Sequence, residues 1–352
     1  MGKKIALGSL IQSGPWGGGN EFAKSLCASL RHAGWEIIFD LNANDIDVIL
    51  ITDPRGWSPS VAFSLRQVLF YKLFVNYNCV VVHRINECDE RKKTYFMNLL
   101  LRCANSIANH SVFISNWLTT LNVSIMPESM TSVIMNGADK TKYRAIPHKL
   151  NDDAKVEMQD GYKTKIVTHH WSNHLNKGFE VYRFIDSCLA DPMYNSIYEF
   201  TFIGNIPVGT ELPNSRVLQP MYGYELSSEL AKHDIYVTAS INEPAGMHHI
   251  EASCSGLPVL YRKNGGGICE YCKDFGVEYV GIEDFWEKLE RVRIDIGSWK
   301  LRVQSYPYSS ELMCNKYIAL FEDLIQAGMY KWKGVNFFKR IFYFFLVLVI
   351  PK

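Results

Sequence analysis

No excess of charge of either sign marks this chain. Its 37 lysines and arginines stand against 36 aspartates and glutamates, a formal +1, so no chain-wide field draws it to nucleic acid. It also lacks the dense cysteine framework of a small secreted domain. Nine cysteines, an odd number scattered over 352 residues, fit a reducing cytoplasm better. Cys269 and Cys272 form one CxxC without a second pair at zinc spacing, so they read as core or surface thiols. The longest apolar run of the C-terminal tail, Ile341 to Ile350, is ten residues, half of the roughly 20 a spanning helix needs. A secretory leader is not evident either. Lys3-Lys4 precede a brief apolar run, Ile5 to Ile11, with no small-residue cleavage site after it, and the run reads as a first strand.

What is present is alternation. Short β-branched runs at 4–10, 35–39, 48–52, 79–83, 111–114 and 131–135 are separated by stretches with apolar residues at helical spacing, at 20–33, 60–74, 92–108 and 116–121. Such alternation implies a parallel sheet covered on both faces. The polar stretch Asp139 to Lys163 has neither period and reads as a linker. The pattern then restarts, with strands at 165–169, 198–203, 216–218, 235–239, 258–261 and 277–280, and helices at 178–190, 224–232, 247–255, 268–273 and 284–293. A last helix near 310–327 has no strand of its own. The length exceeds what one core usually supports, so the expectation is two Rossmann-like domains, 1–150 and 164–305. A C-terminal helix within 306–330 returns to the first, and a tail covers 331–352. Ligands of open α/β sheets bind at the carboxyl ends of strands, and two such domains facing across a cleft place a ligand there.

The motif richest in chemistry is Glu243-Pro244-Ala245-Gly246-Met247-His248-His249-Ile250-Glu251, following the strand 235–239. Pro244 and Gly246 suit a tight loop entering a helix, which leaves the amides of Gly246, Met247 and His248 as donors for phosphate or sugar oxygens. Glu251 lies one turn into that helix and Glu243 in the loop, so two carboxylates can flank one extended ligand, and a carboxylate accepts from vicinal hydroxyls, which is what a ribose presents.

Two glutamates at this separation, with Met135-Asn136-Gly137-Ala138-Asp139, Lys177-Gly178 and Ser255-Gly256-Leu257-Pro258-Val259 in order around them, make the chain resemble the family 4 retaining glycosyltransferases of the GT-B fold, over roughly residues 4–325. The resemblance implies that Glu251 holds the ribose hydroxyls, that Glu243 faces the donor sugar, and that the donor is a nucleoside diphosphate sugar. Lys177, opening a helix after the strand 165–169, then presents a point charge to the diphosphate. The family usually has an arginine several residues before this lysine. Here Trp171-Ser172-Asn173-His174-Leu175-Asn176 fill the interval, and His174 or Asn173 is the substitute donor.

Gly17, Gly18 and Gly19 end the loop after the first strand, where glycine lets backbone approach a ligand and the following helix points amides at an anion. The resemblance turns this loop toward the donor diphosphate and the acceptor. His83 ends the strand 79–83 beside the polar loop from Arg84 to Lys92, and the family commonly has a histidine near this point that reaches donor sugar or acceptor. Asp40, about 20 residues beyond the first glycine loop, is what a dinucleotide-binding reading would use, but the third glycine of G-x-G-x-x-G is missing. Asp45-Ile46-Asp47 imitates a metal-binding DxD yet precedes its strand, so it belongs to the surface. No catalytic metal and no cofactor are expected.

The final 29 residues hold five basic side chains, eight aromatics and no acid, the composition of an interfacial anchor. The resulting expectation is a metal-independent retaining hexosyltransferase in surface polysaccharide or lipopolysaccharide biosynthesis. Its acceptor is a glycan or lipid-linked molecule, and it is cytoplasmic, peripheral on the inner face of the cell membrane. The alternative is a non-catalytic nucleotide-sugar-binding scaffold, the missing arginine being then a sign of lost turnover.

Overall fold

The computed structural model describes residues 2–14, 16–144 and 161–328. The chain forms two compact units, one built from residues up to Met135 and again from Ser310, the other from Asn136–Ser309. In the first unit β1 (Lys4–Leu7), β2 (Glu36–Ile38), β3 (Val48–Ile51), β4 (Val80–Ile85), β5 (His110–Phe113) and β6 (Thr131–Val133) form one parallel sheet in the order β2-β1-β3-β4-β5-β6. The second unit orders β7 (Thr164–His170), β8 (Tyr198–Gly204), β9 (Arg216–Leu218), β10 (Ile235–Thr238), β11 (Val259–Arg262) and β12 (Gly276–Tyr279) as β12-β11-β10-β7-β8-β9, again all parallel. The second order is that of the dinucleotide-binding doubly wound fold, and the first begins like its flavodoxin-type variant. The α/β reading of the sequence therefore holds in both halves.

Parallel strands covered on both faces must be apolar on both, which is why Val48-Ile49-Leu50-Ile51 and Val80-Val81-Val82 read as continuous runs. Leu50 and Val82 face helix Gly18–His32, whose Phe22, Leu26 and Leu30 are buried against them. Ile49 and Val81 face Leu65, Val68 and Ala104 on the other side. Helix Ser310–Gln326 completes the first core: Tyr317 packs edge-on to Phe22 with ring centroids 5.2 Å apart, and Phe321 lies 6.1 Å from Trp35. Burying each of these aromatics contributes roughly 2–3 kcal/mol.

Two helices of the first unit depart from the periodicity. The stretch 60–74 is a short helix, Leu65–Phe70, running into the π-turn Tyr71–Val75. Ser64 and Gln67 close a capping box that fixes its start. The stretch 92–108 is split into Asp89–Lys92 and Met97–Ile107. Lys93 adopts φ 52°, and the Asp89 carboxylate accepts from Thr94 Oγ1 (2.6 Å) and from the amides of Met97 (2.8 Å) and Asn98 (3.0 Å). A helix Ile296–Gln304 with buried Trp299 and Val303 adds to the second unit where no element was expected. Most of the presumed linker, 145–160, and the tail 331–352 lie outside the described residues.

Each sheet reverses its direction of growth once. In the second unit the chain builds β7, β8 and β9 outward and then returns to lay β10 on the other side of β7. In the first unit the reversal falls between β1 and β3. The carboxyl ends flanking such a reversal form an open crevice, the natural ligand position of this architecture.

Candidate functional site

At the β7/β10 reversal the chain leaves β7 at His170, crosses a polar loop and enters the turn Leu175–Lys177. Gly178 follows at φ 76°. A side chain there would collide with the Ala239 carbonyl oxygen just beyond β10, so the Lys177-Gly178 pair is explained by the close passage of one strand end over the other. Lys177 is thereby delivered, buried, to the loop after β10, where its Nζ donates to Glu243 Oε2 at 2.5 Å.

The Glu243 backbone is fastened on both sides. Its amide donates to the Gly265 carbonyl (3.1 Å), the Gly267 amide donates to its carbonyl (2.9 Å), and the Asn242 amide donates to Asn264 O (3.0 Å). Asn242 itself sits at φ 50°, a conformation a non-glycine residue adopts at some cost. Gly266 turns at φ 73° with its Cα against Glu243. The run Gly265-Gly266-Gly267 thus lines the backbone of Glu243.

Gly246, extended at φ −69° and ψ 143°, starts helix Met247–Cys254 with no side chain capping its N-terminus. Asn136 braces the preceding turn, its Nδ2 donating to Ala245 O (3.3 Å) while its amide donates to Tyr271 Oη (2.6 Å). Met247 is half-buried at the helix start. The imidazole of His248 is buried, with Nε2 3.0 Å from Thr238 Oγ1. Glu251, one turn further, is paired at Oε2 with His169 Nε2 at 2.9 Å. His169, at the carboxyl end of β7, is a residue the motif reading passed over.

Four histidines meet beneath this crevice. The ring of His248 lies 6.2 Å from His169, 4.8 Å from His170 and 5.1 Å from His249. Burial, reinforced by the neighbouring His170 and by Lys177, holds His248 well below the usual imidazole range. Burial does the same to His170, whose Nε2 meets Tyr182 Oη at 2.6 Å. It pushes His249 down to about 3, and neither nitrogen of that ring has a hydrogen-bond partner. Three imidazoles of the floor, those of His170, His248 and His249, are therefore neutral, and the charged side chains around them are Lys177, Glu243 and Glu251. His174, the candidate substitute for the family arginine, caps the turn before Lys177: its Nδ1 accepts from the Asn176 amide at 3.2 Å.

In the first unit the loop after β1 closes on Asn20. Its Oδ1 accepts from the Gln12 amide (2.8 Å) and its Nδ2 donates to the Gln12 carbonyl (3.0 Å). Gly17 is the N-cap of helix Gly18–His32, without a side-chain cap, and the space beside Gly17 and Gly19 is open. At the same strand ends Ser9 Oγ and Thr52 Oγ1 are 2.6 Å apart. Neither Asn20 nor Ser9 was singled out from the sequence; an asparagine at the third residue of a glycine-led helix was the available signal.

His83 needs a correction of place. β4 continues to Ile85, so His83 lies inside the strand, in register with Ile51 and Ser111, and is fully buried. Two more β-competent residues, Arg84 and Ile85, carry the strand on, and Arg84 is itself buried with its guanidinium 3.9 Å from the Phe22 ring centroid. Burial pushes the His83 imidazole down to about 3, with Asn105 opposing. Asp45 and Asp47 both meet Lys4, Asp45 at its Nζ (2.8 Å) and Asp47 at its amide (2.7 Å), on the amino edge of the sheet. Asp40 accepts from the Asn42 amide (2.9 Å) in an exposed turn. All nine cysteines are free. Among the described residues no group of three or more His, Cys, Asp or Glu is placed to hold a metal ion, and no helix is long and apolar enough to cross a membrane.

Two parallel six-stranded doubly wound sheets, the second with a lysine and two carboxylates at its reversal point, define the GT-B glycosyltransferase class of fold. Residues 211–295, which include Glu243, Glu251 and the helix between them, match the family Glycosyl transferases group 1. Solved structures agree on the fold. Sucrose-phosphate synthase from Thermosynechococcus elongatus is 14% identical with a TM-score of 0.62, over 92% of this chain and 100% of that one. HepE of Anabaena, solved in complex with UDP, is 15% identical with a TM-score of 0.63 over the same shares, 92% and 100%. WaaG, a glycosyltransferase involved in lipopolysaccharide biosynthesis, is 14% identical with a TM-score of 0.59, over 90% and 99%. No curated protein sequence matches the chain.

Proposed function

We propose that the protein is a retaining glycosyltransferase that moves a hexosyl unit from a nucleoside diphosphate sugar to a glycan or lipid-linked acceptor of a surface polysaccharide. The observation that carries this reading is the meeting of Lys177 and Glu243 beside the uncapped start of helix Met247–Cys254, with Glu251 one turn inside. A cation and free helix amides suit a diphosphate, and two carboxylates suit the hydroxyls on either side of it. HepE, similar in fold, is solved with UDP and with UDP-glucose, which makes a uridine donor the first to test.

In this reading Glu251 accepts from the ribose hydroxyls and Glu243 from the donor sugar. Lys177 and the amides at Gly246, Met247 and His248 stabilise the charge that grows on the departing diphosphate, the largest catalytic contribution available here. His174 adds a donor on the same side, and the Gly17–Gly19 loop offers amides to bound oxyanions. The acceptor hydroxyl attacks the anomeric carbon on the face the diphosphate leaves. The bond between that carbon and the phosphate oxygen breaks, and the acceptor proton passes to the leaving diphosphate. No cofactor or metal takes part. The protein works at the inner face of the membrane, held there by residues 331–352.

The test is nucleotide release from a panel of nucleoside diphosphate sugars, with lipid and glycan acceptors present and absent, in buffer with and without chelator. Acceptor-dependent release that survives chelator supports the reading. Tight donor binding without any turnover would favour a scaffold, and loss of activity in chelator with recovery in magnesium or manganese would overturn the metal-free mechanism.

A further inference from the structure

His169 Nε2 lies 2.9 Å from Glu251 Oε2. An ionised carboxylate only accepts, so the ring hydrogen is on Nε2 and the bond is directed at one oxygen of the pair. The imidazole is itself anchored. The His169 amide donates to Tyr236 Oη (3.1 Å), which donates back to the His169 carbonyl (3.2 Å), and the Tyr236 ring packs edge-on at 5.4 Å. Tyr236 is fully buried in β10, and β7 and β10 are the two strands that flank the reversal. The Glu251 carboxylate is thus fixed from the sheet as well as from its own helix, and its rotamer is set before any ligand arrives. Ring nitrogen Nδ1 of His169 is buried and has no partner, so this imidazole spends its hydrogen-bonding capacity on Glu251 alone.

We propose that His169 is a positioning residue for the donor nucleoside: it holds Oε2 of Glu251 so that the remaining acceptor sites, chiefly on Oε1, meet the two vicinal hydroxyls of a ribose. The inference rests on the donor reading given above. A carboxylate has about four acceptor directions. With one taken by His169, those left still serve two hydroxyls, and the fixed orientation removes the rotamer entropy a free glutamate loses on binding. A histidine that only competed with ribose for the carboxylate would have the opposite effect on affinity.

The experiment is a calorimetric titration of the full-length chain with UDP and with 2′,3′-dideoxy-UDP. The variants are His169→Ala, His169→Gln, whose amide can donate in the place of Nε2, and Glu251→Ala, each also melted to confirm folding. The expected result is a loss of UDP affinity of roughly 5–20-fold in His169→Ala, recovery in His169→Gln, and no change in the already weak affinity for the dideoxy nucleotide. Unchanged or tighter UDP binding by His169→Ala overturns the proposal while leaving the donor site standing. So does an equal loss for both nucleotides, which marks a purely structural role. Failure of the wild-type chain to bind any of the common nucleoside diphosphates overturns the donor reading and this proposal with it.

Discussion

Gly266 lies so close to Glu243 that a β-carbon on it would stand 2.9 Å from both the amide nitrogen and the carbonyl oxygen of the glutamate. The glycine run after β11 is therefore a surface cut to fit the backbone of a proposed catalytic residue.

Gly266→Ala should consequently cost more than its left-handed φ of 73° alone requires. Gly209, at φ 79° with open space around it, is the internal control: alanine there costs about 1–2 kcal/mol for the backbone conformation. Thermal melts should rank Gly266→Ala well below Gly209→Ala, and turnover should fall at least tenfold in the first and stay near wild type in the second. Equal melts would show that the strip yields and that Glu243 is not held by it.

Removing either member of the Lys177–Glu243 pair has two consequences that one variant cannot separate. Lys177→Ala takes the cation from a buried carboxylate, a loss of about 3–5 kcal/mol where such a pair is broken, and it also takes charge from the leaving diphosphate. The double variant Lys177→Met with Glu243→Gln should recover much of the melting temperature but none of the turnover, which should remain about 100-fold or more down. Glu251→Ala should act on donor affinity more than on kcat. A double variant with restored activity would remove Lys177 from the chemistry.

The buried histidines predict acid sensitivity. His83 and His249 are held at about 3 and His110 at about 4, in each case chiefly by burial, against an ordinary value of 6.5. The unfolded chain binds these protons first, so the folded state loses stability as pH falls below about 6.5, at roughly 1.4 kcal/mol per pH unit for each histidine. Above that pH the penalty is absent. Urea unfolding at pH 7, 6 and 5 should show the fall, and His249→Phe should flatten it by about one proton. A slope unchanged in that variant would mean His249 is protonated in the fold.

Residues 331–352, with Lys331, Lys333, Lys339 and Arg340 leading into the apolar run, should hold the protein on anionic membrane in a salt-sensitive way. Deleting them should release it from vesicles of anionic lipid and leave nucleotide binding unchanged, since every donor residue named above precedes Gly281. Co-sedimentation that survives the deletion, or unfolding caused by it, would assign the tail to the core or to a protein contact.

Both sheets were legible in the sequence because parallel strands buried on two faces are continuous β-branched runs, and Val48–Ile51 or Ile235–Thr238 could hardly be anything else. Their ends were harder. His83 looked like a strand end because Arg84 is charged, yet that arginine is sheltered over the Phe22 ring and the strand runs on. Of the site, Lys177, Glu243 and Glu251 were visible as motifs, and Lys177 and Glu243 do meet. His169 was not, because its partner lies 82 residues away and only the adjacency of β7 and β10 brings them together. The splitting of 92–108 was hidden for a similar reason. Asp89 caps a helix that begins eight residues later, a reach no periodicity records.

The return of the chain to the first unit at Ser310 sets an order on synthesis. Asn136–Ser309 is one uninterrupted stretch and can complete its sheet while the chain is still emerging. The first unit can complete its sheet but not its core, because Tyr317 and Phe321 must cover Phe22 and Trp35, and they leave the ribosome almost 300 residues after those partners. Until then Phe22 and Trp35 stand uncovered at the outer side of the first core, so a nascent chain stalled before Ser310 is the form that chaperones should hold and proteases should cut.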